Sequence, residues 1–222
     1  MLKKFFRRRD KGEDIANELY LGAVAQARLP VFYAEHGVPD TLDGRFDLIV
    51  LHVYLLLRPL NAIAKRAAGQ ETDADGAAHQ QSHQQSHQQS LRASELSQTL
   101  FDTMFGDMDR SLREMGVSDI AVGKRVKQMA KAFYGRVSAY DEGLVDPEAL
   151  EAPVEERDGG PLGEVSDIAL DAALERNLFG TVNPTAAQVS AMAEYLRCQV
   201  KHLDATSDDA VLTGQMQFAP WP

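Results

Sequence analysis

The sequence predicts an all-α protein, a single multi-helix domain of about six to eight helices around a long central helix. Apolar residues recur every three or four positions through most of the 222 residues. Proline, glycine and helix-capping residues interrupt this pattern where helices would begin or end. No run alternates apolar and polar residues with β-branched content, as the strands of an α/β sheet would require.

The composition indicates a folded acidic protein. Hydrophobic residues make up 44% and charged residues 25% of the chain, which is the ordinary range of globular domains. The formal net charge of -10 disfavours binding to DNA or to nucleic acids in general, because such a body repels phosphate backbones. The single cysteine, Cys198, cannot form an intramolecular disulfide or a cysteine-based zinc site.

The first half of the chain contains the predicted central helix. A helix over 13–27 precedes a short segment that begins at Pro30. A turn through Asp40-Thr41 then caps a long helix over about 42–68, which is apolar on almost every side and therefore central. Pro59 is expected to kink or break this helix, because proline removes a backbone donor and clashes with the preceding turn.

Residues 69–90 differ in character from their surroundings. The tetrapeptide His-Gln-Gln-Ser occurs three times in succession from His79 to Ser90, with no apolar residue to bury. We therefore predict a flexible, solvated loop. If helical, His79, His83 and His87 would align on one face and could hold a metal, but nothing packs against such a helix, and we predict no metal site.

The second half of the chain repeats the helical pattern. Periodic apolar residues predict a helix over 96–115, which Gly116 ends, and another over 119–143. Capping signals at Ser166-Asp167 and at Asn183-Pro184 open two more. The helical domain is thus predicted over 13–206, and residues 207–222 are predicted to form a loose tail.

Residues 1–12 are predicted to be a basic N-terminal arm. On a helix, its apolar side chains fall near one face with basic ones around it, as in an interfacial membrane anchor. Five basic residues would contribute roughly 5 kcal/mol at an anionic surface before screening. A solvated, disordered start and an RNA-contacting arm remain alternatives. The residues of the candidate anchor are Lys3, Lys4, Phe5, Phe6, Arg7, Arg8 and Arg9.

Neither a secretory signal nor a bilayer-spanning segment is expected. Charged residues follow the basic cluster at once, where a signal needs an apolar stretch. The most apolar run, 48–57, has about ten residues and falls short of the roughly twenty that a spanning helix needs. We therefore expect a cytoplasmic protein that contacts the membrane at most peripherally.

No catalytic residue or cofactor is predicted, so the protein is not expected to be an enzyme. Phosphate-binding loops, dinucleotide fingerprints and nucleophile elbows are absent from the sequence. Cys198 precedes His202 by four residues, but nothing supplies an oxyanion hole. Asp141 and Glu142 point about 100° apart on a helix and do not converge on one substrate. Since acids at a helix C-terminus oppose its dipole, they are expected to pair with a cation such as Arg176.

Three blocks of sequence carry a resemblance to a known family. The first runs from Leu19-Tyr20 through Leu29-Pro30-Val31-Phe32-Tyr33 and Gly44-Arg45-Phe46-Asp47-Leu48 to Leu51-His52-Val53-Tyr54-Leu55-Leu56-Leu57-Arg58. The second runs from Leu100-Phe101-Asp102 through Arg113-Glu114-Met115-Gly116-Val117 and Phe133-Tyr134-Gly135-Arg136 to Tyr140-Asp141-Glu142-Gly143-Leu144. The third is Ala172-Ala173-Leu174-Glu175-Arg176-Asn177-Leu178-Phe179. In this order the blocks resemble the ubiquinol–cytochrome c chaperone family.

The resemblance implies a non-enzymatic, helical assembly chaperone for the cytochrome bc1 complex. Its implied client is newly made cytochrome b or another subunit of that complex, met near the ribosome and the membrane. A second chaperone subunit is an open question. The absence of a targeting presequence suggests a bacterial member acting in the cytoplasm, on the inner face of the cell membrane. Tyr54 stands where mitochondrial members often carry tryptophan.

Six residues are expected to contact the client, because they are polar or charged on helices whose other positions are core. They are His52, Tyr54, Tyr140, Asp141, Glu142 and Arg176. The alternative is that these residues form a buried polar network. The alternative function is a membrane-surface adaptor that works through the N-terminal arm.

Overall fold

The structure, a computed structural model, describes residues 2–69, 77–144 and 162–221. Their helices are α1 (Leu2–Ala27), α2 (Pro30–Ala34), α3 (Leu42–Gly69), α4 (Ala77–Glu114), α5 (Asp119–Gly143), α6 (Leu162–Leu178), α7 (Ala186–Asp204) and α8 (Asp208–Leu212). No strand occurs in these ranges. The prediction of an all-α domain with six to eight helices is therefore confirmed.

Helix α3 is the centre of the fold. It packs against α1, α4, α6, α7 and α8, and its buried positions cover most of its circumference. Among them, Leu48, Leu51, Leu55 and Leu60 have almost no exposed surface. Of the two expected effects of Pro59, a kink or a break, the break does not occur, because the helix continues through this residue. Proline removes only one ladder hydrogen bond, and the packing around α3 holds the helix on both sides of it.

By length and composition alone, α3 could cross a membrane over 42–66, and it is the one helix of this kind among the described residues. The length of the apolar run, estimated from the sequence as about ten residues, was too short because the run was ended before Arg58. In the fold, however, 67% of the apolar window is buried against other helices. That burial is typical of the core helix of a globular domain, which passes the same test.

The histidine repeat belongs to α4, which begins at Ala77. The flexible loop predicted for 69–90 is therefore wrong from residue 77 onward, while residues 70–76 lie outside the described residues. Once a helix is anchored, each further residue adds a hydrogen bond without the cost of nucleation, and glutamine is a good helix former. Buried Ala93 and Leu96 supply the anchor. Ser90 Oγ also donates to the carbonyl of Ala64 at 3.0 Å.

Local chemistry explains several helix boundaries. Thr41 Oγ1 accepts from the Gly44 N–H at 3.1 Å and caps α3 as predicted. Gly116 follows α4 with a φ of +80°, a conformation that glycine adopts without strain. Helix α7 begins two residues later than the Asn-Pro signal predicted, because Thr185 and Gln188 form a capping box there.

The basic N-terminal residues continue into the first helix. Helix α1 runs without interruption from Leu2 to Ala27, so no break separates the predicted arm (1–12) from the predicted helix (13–27). The side chains of the arm from Lys3 to Arg9 lie outside the described residues, and the membrane anchor assigned to them stays a prediction.

Residues 207–221, the C-terminal segment, are packed rather than loose, and the predicted loose tail is wrong. Ser207 caps the short helix α8, and Val211, Leu212 and Met216 are buried. The segment continues back across the core as far as Trp221. The sequence did not reveal this packing because the segment has no helical period after α8, and its partners are distant in the chain.

Two kinds of contact attach the end of the C-terminal segment to the rest of the domain. The buried amide of Gln199 donates to the carbonyl of Ala219 at 2.9 Å and accepts from its N–H at 2.8 Å. The ring of Trp221 stacks on Tyr195 and His36, with centroids 4.5 Å and 4.2 Å away. Backbone and ring are therefore both fixed, although Trp221 is only partly buried.

Candidate functional site

A groove opens between the C-terminal half of α3, helices α4 and α5, and the corner where α7 meets α8. Its volume is about 850 Å³, near the upper end of the roughly 300–1,000 Å³ typical of ligand pockets. Such a volume accommodates a few side chains of a partner. Hydrophobic and charged residues share its lining, and they lie on different helices.

One side of the groove is an aromatic wall made by Phe101, Phe133 and Tyr134. The ring centroid of Phe101 lies 5.3 Å from that of Phe133 and 5.7 Å from that of Tyr134. Phe105 packs behind, 4.6 Å from Phe101. Tyr134 is 62% exposed, whereas Phe133 is buried. The wall therefore exposes an aromatic surface at Tyr134 that rests on rings buried in the core. Exposed aromatic residues of this kind contribute strongly to protein recognition.

Another part of the lining is an ionic edge made by Tyr54, Arg58, Asp141 and Asp204. The Tyr54 hydroxyl donates to Asp141 Oδ1 at 2.7 Å. Arg58 Nη1 donates to the same carboxylate oxygen at 3.0 Å and to the Tyr54 hydroxyl at 3.1 Å. Arg58 Nη2 lies 3.5 Å from Asp204 Oδ2. One arginine of α3 thus joins α5 to the end of α7.

Burial keeps the Tyr54 hydroxyl of the ionic edge protonated. Desolvation raises the pKa of Tyr54 above its usual value, and the hydrogen bond to Asp141 acts in the same direction. The hydroxyl therefore stays protonated and remains a donor. Arg58 Nε is buried and has no hydrogen-bond partner in the described part of the chain, so a partner would meet the exposed Asp141 carboxylate rather than this atom. These groups can orient a polar or charged atom of a partner beside the aromatic wall.

A known family matches most of the chain. The family model of the ubiquinol-cytochrome C chaperones matches residues 34–157 and 159–218. The chain belongs to the ubiquinol-cytochrome C chaperone family. The resemblance inferred from the three sequence blocks is confirmed, and so is the prediction that the protein is not an enzyme.

The similar proteins come from animals and from a bacterium. Ubiquinol-cytochrome c reductase complex assembly factor 1 of Mus musculus is 22% identical over 92% of this chain, and its Xenopus laevis counterpart is 21% identical over 92%. The chain spans 55% of the length of the mouse protein and 80% of the frog protein. The crystal structure of the Cbp3 homolog from Brucella abortus matches with a TM-score of 0.66 and 28% identity, over 99% of this chain and 97% of that one.

For this member of the chaperone family, the six predicted contact residues divide into three groups. Tyr54 and Asp141 lie together on the ionic edge. His52 and Tyr140 are fully buried, and a partner cannot reach them in this structure. Glu142 and Arg176 are exposed but do not line the groove. Asp141 of the first group is exposed and remains a candidate contact, whereas Tyr54 is only 2% exposed and holds Asp141 from behind. In the second group, His52 fits the alternative of a buried polar network.

His52 belongs to a satisfied hydrogen-bond chain in the core. Its Nδ1 lies 2.7 Å from the Leu48 carbonyl, which can only accept, so Nδ1 carries the proton. Its Nε2 then accepts from the Tyr195 hydroxyl at 2.8 Å, which in turn accepts from the Gln26 amide at 3.1 Å. Desolvation lowers the pKa of His52 to about 4. The imidazole is therefore neutral at physiological pH and acts as a structural group.

Asp141 pairs with a cation as predicted, but the cation is Arg58 and not Arg176, which was given as the example. Glu142 accepts from Ser138 of its own helix at 3.0 Å. Tyr140 packs its ring 5.5 Å from that of Tyr54, but its buried hydroxyl has no partner among the described residues. Only one of the two neighbouring acids therefore belongs to the groove.

Sequence reasoning missed Arg58, Phe101 and Asp204. A signal for Arg58 existed, since it is a lone cation four residues after Tyr54 in an apolar helix, which is one turn along the same face. Phe101 and Asp204 gave no comparable signal, because their role depends on which helices meet at the groove. No three potential metal ligands converge within the described ranges.

Proposed function

We propose that this chain is an assembly chaperone for the ubiquinol–cytochrome c reductase complex and that it holds a client segment in the groove. The observation that carries the proposal is the pairing of an exposed aromatic wall with an ionic edge in one groove of a chain that belongs to this chaperone family. The names of the animal relatives support the choice of complex.

In the proposed mechanism the protein binds a client segment and catalyses no reaction. An amphipathic client segment lays its apolar side chains on Phe101 and Tyr134, which removes apolar surface from water. The ionic edge faces the polar side of the segment and fixes its orientation through charge-assisted hydrogen bonds. Because the edge is held together by side chains of three helices, it is already formed before the client arrives.

The proposed client is newly made cytochrome b, held before assembly at the inner face of the cell membrane. A membrane protein exposes apolar segments until it is inserted, and the aromatic wall suits such segments. The cytoplasmic location, the cytochrome b client, a ribosome contact and a second chaperone subunit rest on the family resemblance. The membrane-surface adaptor has no support from a described side chain, because the side chains of its arm lie outside those residues.

Site-specific photocrosslinking tests the proposal. A photoreactive amino acid replaces Tyr134 in the groove, and a matched protein carries it at Ile168, which is 68% exposed on α6. After irradiation of intact cells, adducts at position 134 are expected to contain cytochrome b or another subunit of the reductase. Equal yields of such adducts at both positions, or none at position 134, would contradict the groove as the client site.

Two neighbouring acids provide a sharper comparison. Asp141→Asn removes the charge that Tyr54 and Arg58 hold, so client recovery should fall by roughly three- to tenfold. Glu142→Gln changes the same charge one residue away, outside the groove, and should leave recovery unchanged. Client recovery is measured by co-purification, with circular dichroism as the control for folding. If Glu142→Gln has the larger effect, the ionic edge is not the client contact.

A further inference from the structure

The outward face of α5 carries a stripe of lysines between two exposed hydrophobic residues. Ile120, Lys124, Lys127, Lys131 and Tyr134 follow one another at spacings of four and three residues. This spacing aligns them on one face of the helix over roughly 21 Å. All five are exposed, and Ile120 reaches 91%. We refer to these residues as the lysine stripe.

Among the described residues, the charge of the lysine stripe is uncompensated. No ion pair joins Lys124, Lys127 or Lys131 to a carboxylate within the described residues. The next acids along α5 are Asp141, which Arg58 and Tyr54 hold, and Glu142, three helical turns beyond Lys131. The chain as a whole has a net charge of -10. A cationic face on such a protein creates a local field that attracts anions to this side of α5.

We propose that the lysine stripe docks α5 flat on a bilayer surface that contains anionic phospholipids. Lysine ammonium groups at the ends of flexible stems reach lipid phosphates from a helix that lies on the surface. Ile120 enters the headgroup region at one end of the stripe, and Tyr134, whose ring belongs to the aromatic wall of the groove, reaches the headgroups with its hydroxyl at the other end. An exposed isoleucine gains by leaving water, and tyrosine suits an interface because one end is apolar and the other is polar.

The chemistry of the stripe favours a bilayer over a nucleic acid. Single-stranded RNA binds by stacking bases on aromatic or arginine side chains, and Tyr134 is the one aromatic residue of the stripe. Arg125 points to another side of α5, about 120° from Lys131. An isoleucine adds nothing to a phosphate contact. A planar bilayer also touches one face only, so the acidic remainder of the protein stays away from the anionic surface.

Vesicle sedimentation of the full chain tests this surface. The wild type is expected to bind vesicles of phosphatidylcholine plus phosphatidylglycerol, to leave pure phosphatidylcholine vesicles free, and to bind less at high salt. The triple variant Lys124→Gln/Lys127→Gln/Lys131→Gln should lower the partition coefficient by about a hundredfold, since each lysine contributes about 1 kcal/mol. Ile120→Ser should lower it several-fold through lost apolar contact.

A matched triple variant controls for net charge. Lys65→Gln/Arg92→Gln/Lys201→Gln removes three charges from exposed positions on α3, α4 and α7, and it should keep binding within about threefold of the wild type. Equal losses in the two triple variants would overturn the proposal. Loss of binding on removal of residues 1–9, with no effect of the lysine variant, would also overturn it.

Polyuridine serves as the competing probe. The proposal expects polyuridine to be retained no better by the wild type than by the lysine variant. Selective retention by the wild type, with vesicle binding equal in both, would identify an RNA surface and overturn the lipid assignment. These assays contain no client, so they can fail while the groove still binds its client, and the reverse also holds.

Discussion

Three polar side chains on α3 point to two different sides of the helix. Tyr54 and Arg58 are four residues apart and share the face that borders the groove. His52 lies about 200° from Tyr54 around the helix and enters the aromatic core beside Phe32 and Tyr195. The residue pattern singled out His52 and Tyr54 as unusual in an apolar helix, and Arg58 is a polar residue of the same stretch. Which face becomes a groove depends on the neighbouring helices, so the sequence could not separate His52 from the other two.

Removing the imidazole of His52 should change how stability depends on pH. The folded pKa of about 4 lies below the ordinary value of 6.5, so only the unfolded chain binds the proton as the pH falls through this interval. The contribution is complete above pH 6.5 and is lost toward pH 4. The stability of the wild type relative to His52→Gln should therefore fall by about 1 kcal/mol between pH 7 and pH 5.5.

Urea unfolding at the two pH values measures this difference. The comparison must be between the variant and the wild type, because Asp47 titrates in the same interval with the opposite sign. Burial raises the pKa of Asp47 to about 6 despite the nearby Arg136, so acid favours the folded state at that site. Asp47 is present in both proteins and cancels. A pH-independent difference would mean that His52 titrates normally.

At the scale of elements, the α5–α6 contact depends on a glycine. A Cβ at Gly143 would lie 2.6 Å from the Cα of Leu170 and 2.7 Å from its backbone nitrogen, and backbone atoms cannot move aside as a side chain can. Gly143→Ala should therefore destabilise the protein by about 2 kcal/mol. In the same helix, Gly135 has nothing within 4 Å of a built Cβ, and Gly135→Ala should stabilise it by about 0.5–1 kcal/mol. Thermal unfolding of both variants checks the pair, and equal effects would exclude close packing at Gly143.

The predicted and observed helices differ where neighbours, rather than local pattern, determine the structure. The core stretches of α3, α4 and α5 were predicted because their apolar period is a local property. The helical structure of residues 77–90 was not predicted, because this part of α4 extends from the packed part of the same helix. A window that covers only the polar repeats does not contain that packed part. The start of helix α7 was predicted two residues too early, because the capping box of Thr185 and Gln188 competes with the Asn-Pro signal.

At the scale of the whole molecule, the C-terminal segment completes the core. Trp221 covers Phe32 and Tyr195 with centroid distances of 5.2 Å and 4.5 Å, and Gln199 fixes the adjacent backbone. The sequence showed Trp221 only as an aromatic residue in a stretch without periodicity. Its role depends on partners that are far away in the chain, and local patterns contain no information about such partners.

Trp221→Ala should lower the free energy of unfolding by about 2–3 kcal/mol, because the stacked ring is lost and part of the aromatic core is opened to water. Gln217→Ala, at an exposed position of the same segment, should change it by less than about 0.5 kcal/mol. Guanidinium unfolding followed by circular dichroism measures both. Indistinguishable midpoints for the two variants would mean that the segment does not contribute to the core.

The contact between Phe32 and Trp221 also orders events during synthesis. The two rings are separated by most of the chain, and at about 5–20 residues per second a ribosome needs roughly 10 to 40 s to make the intervening residues. During that time α1, α2 and α3 are present with Phe32 and His52 uncovered. The growing chain therefore carries an exposed aromatic surface of its own until Trp221 arrives, and translation speed determines how long that surface is open to other proteins.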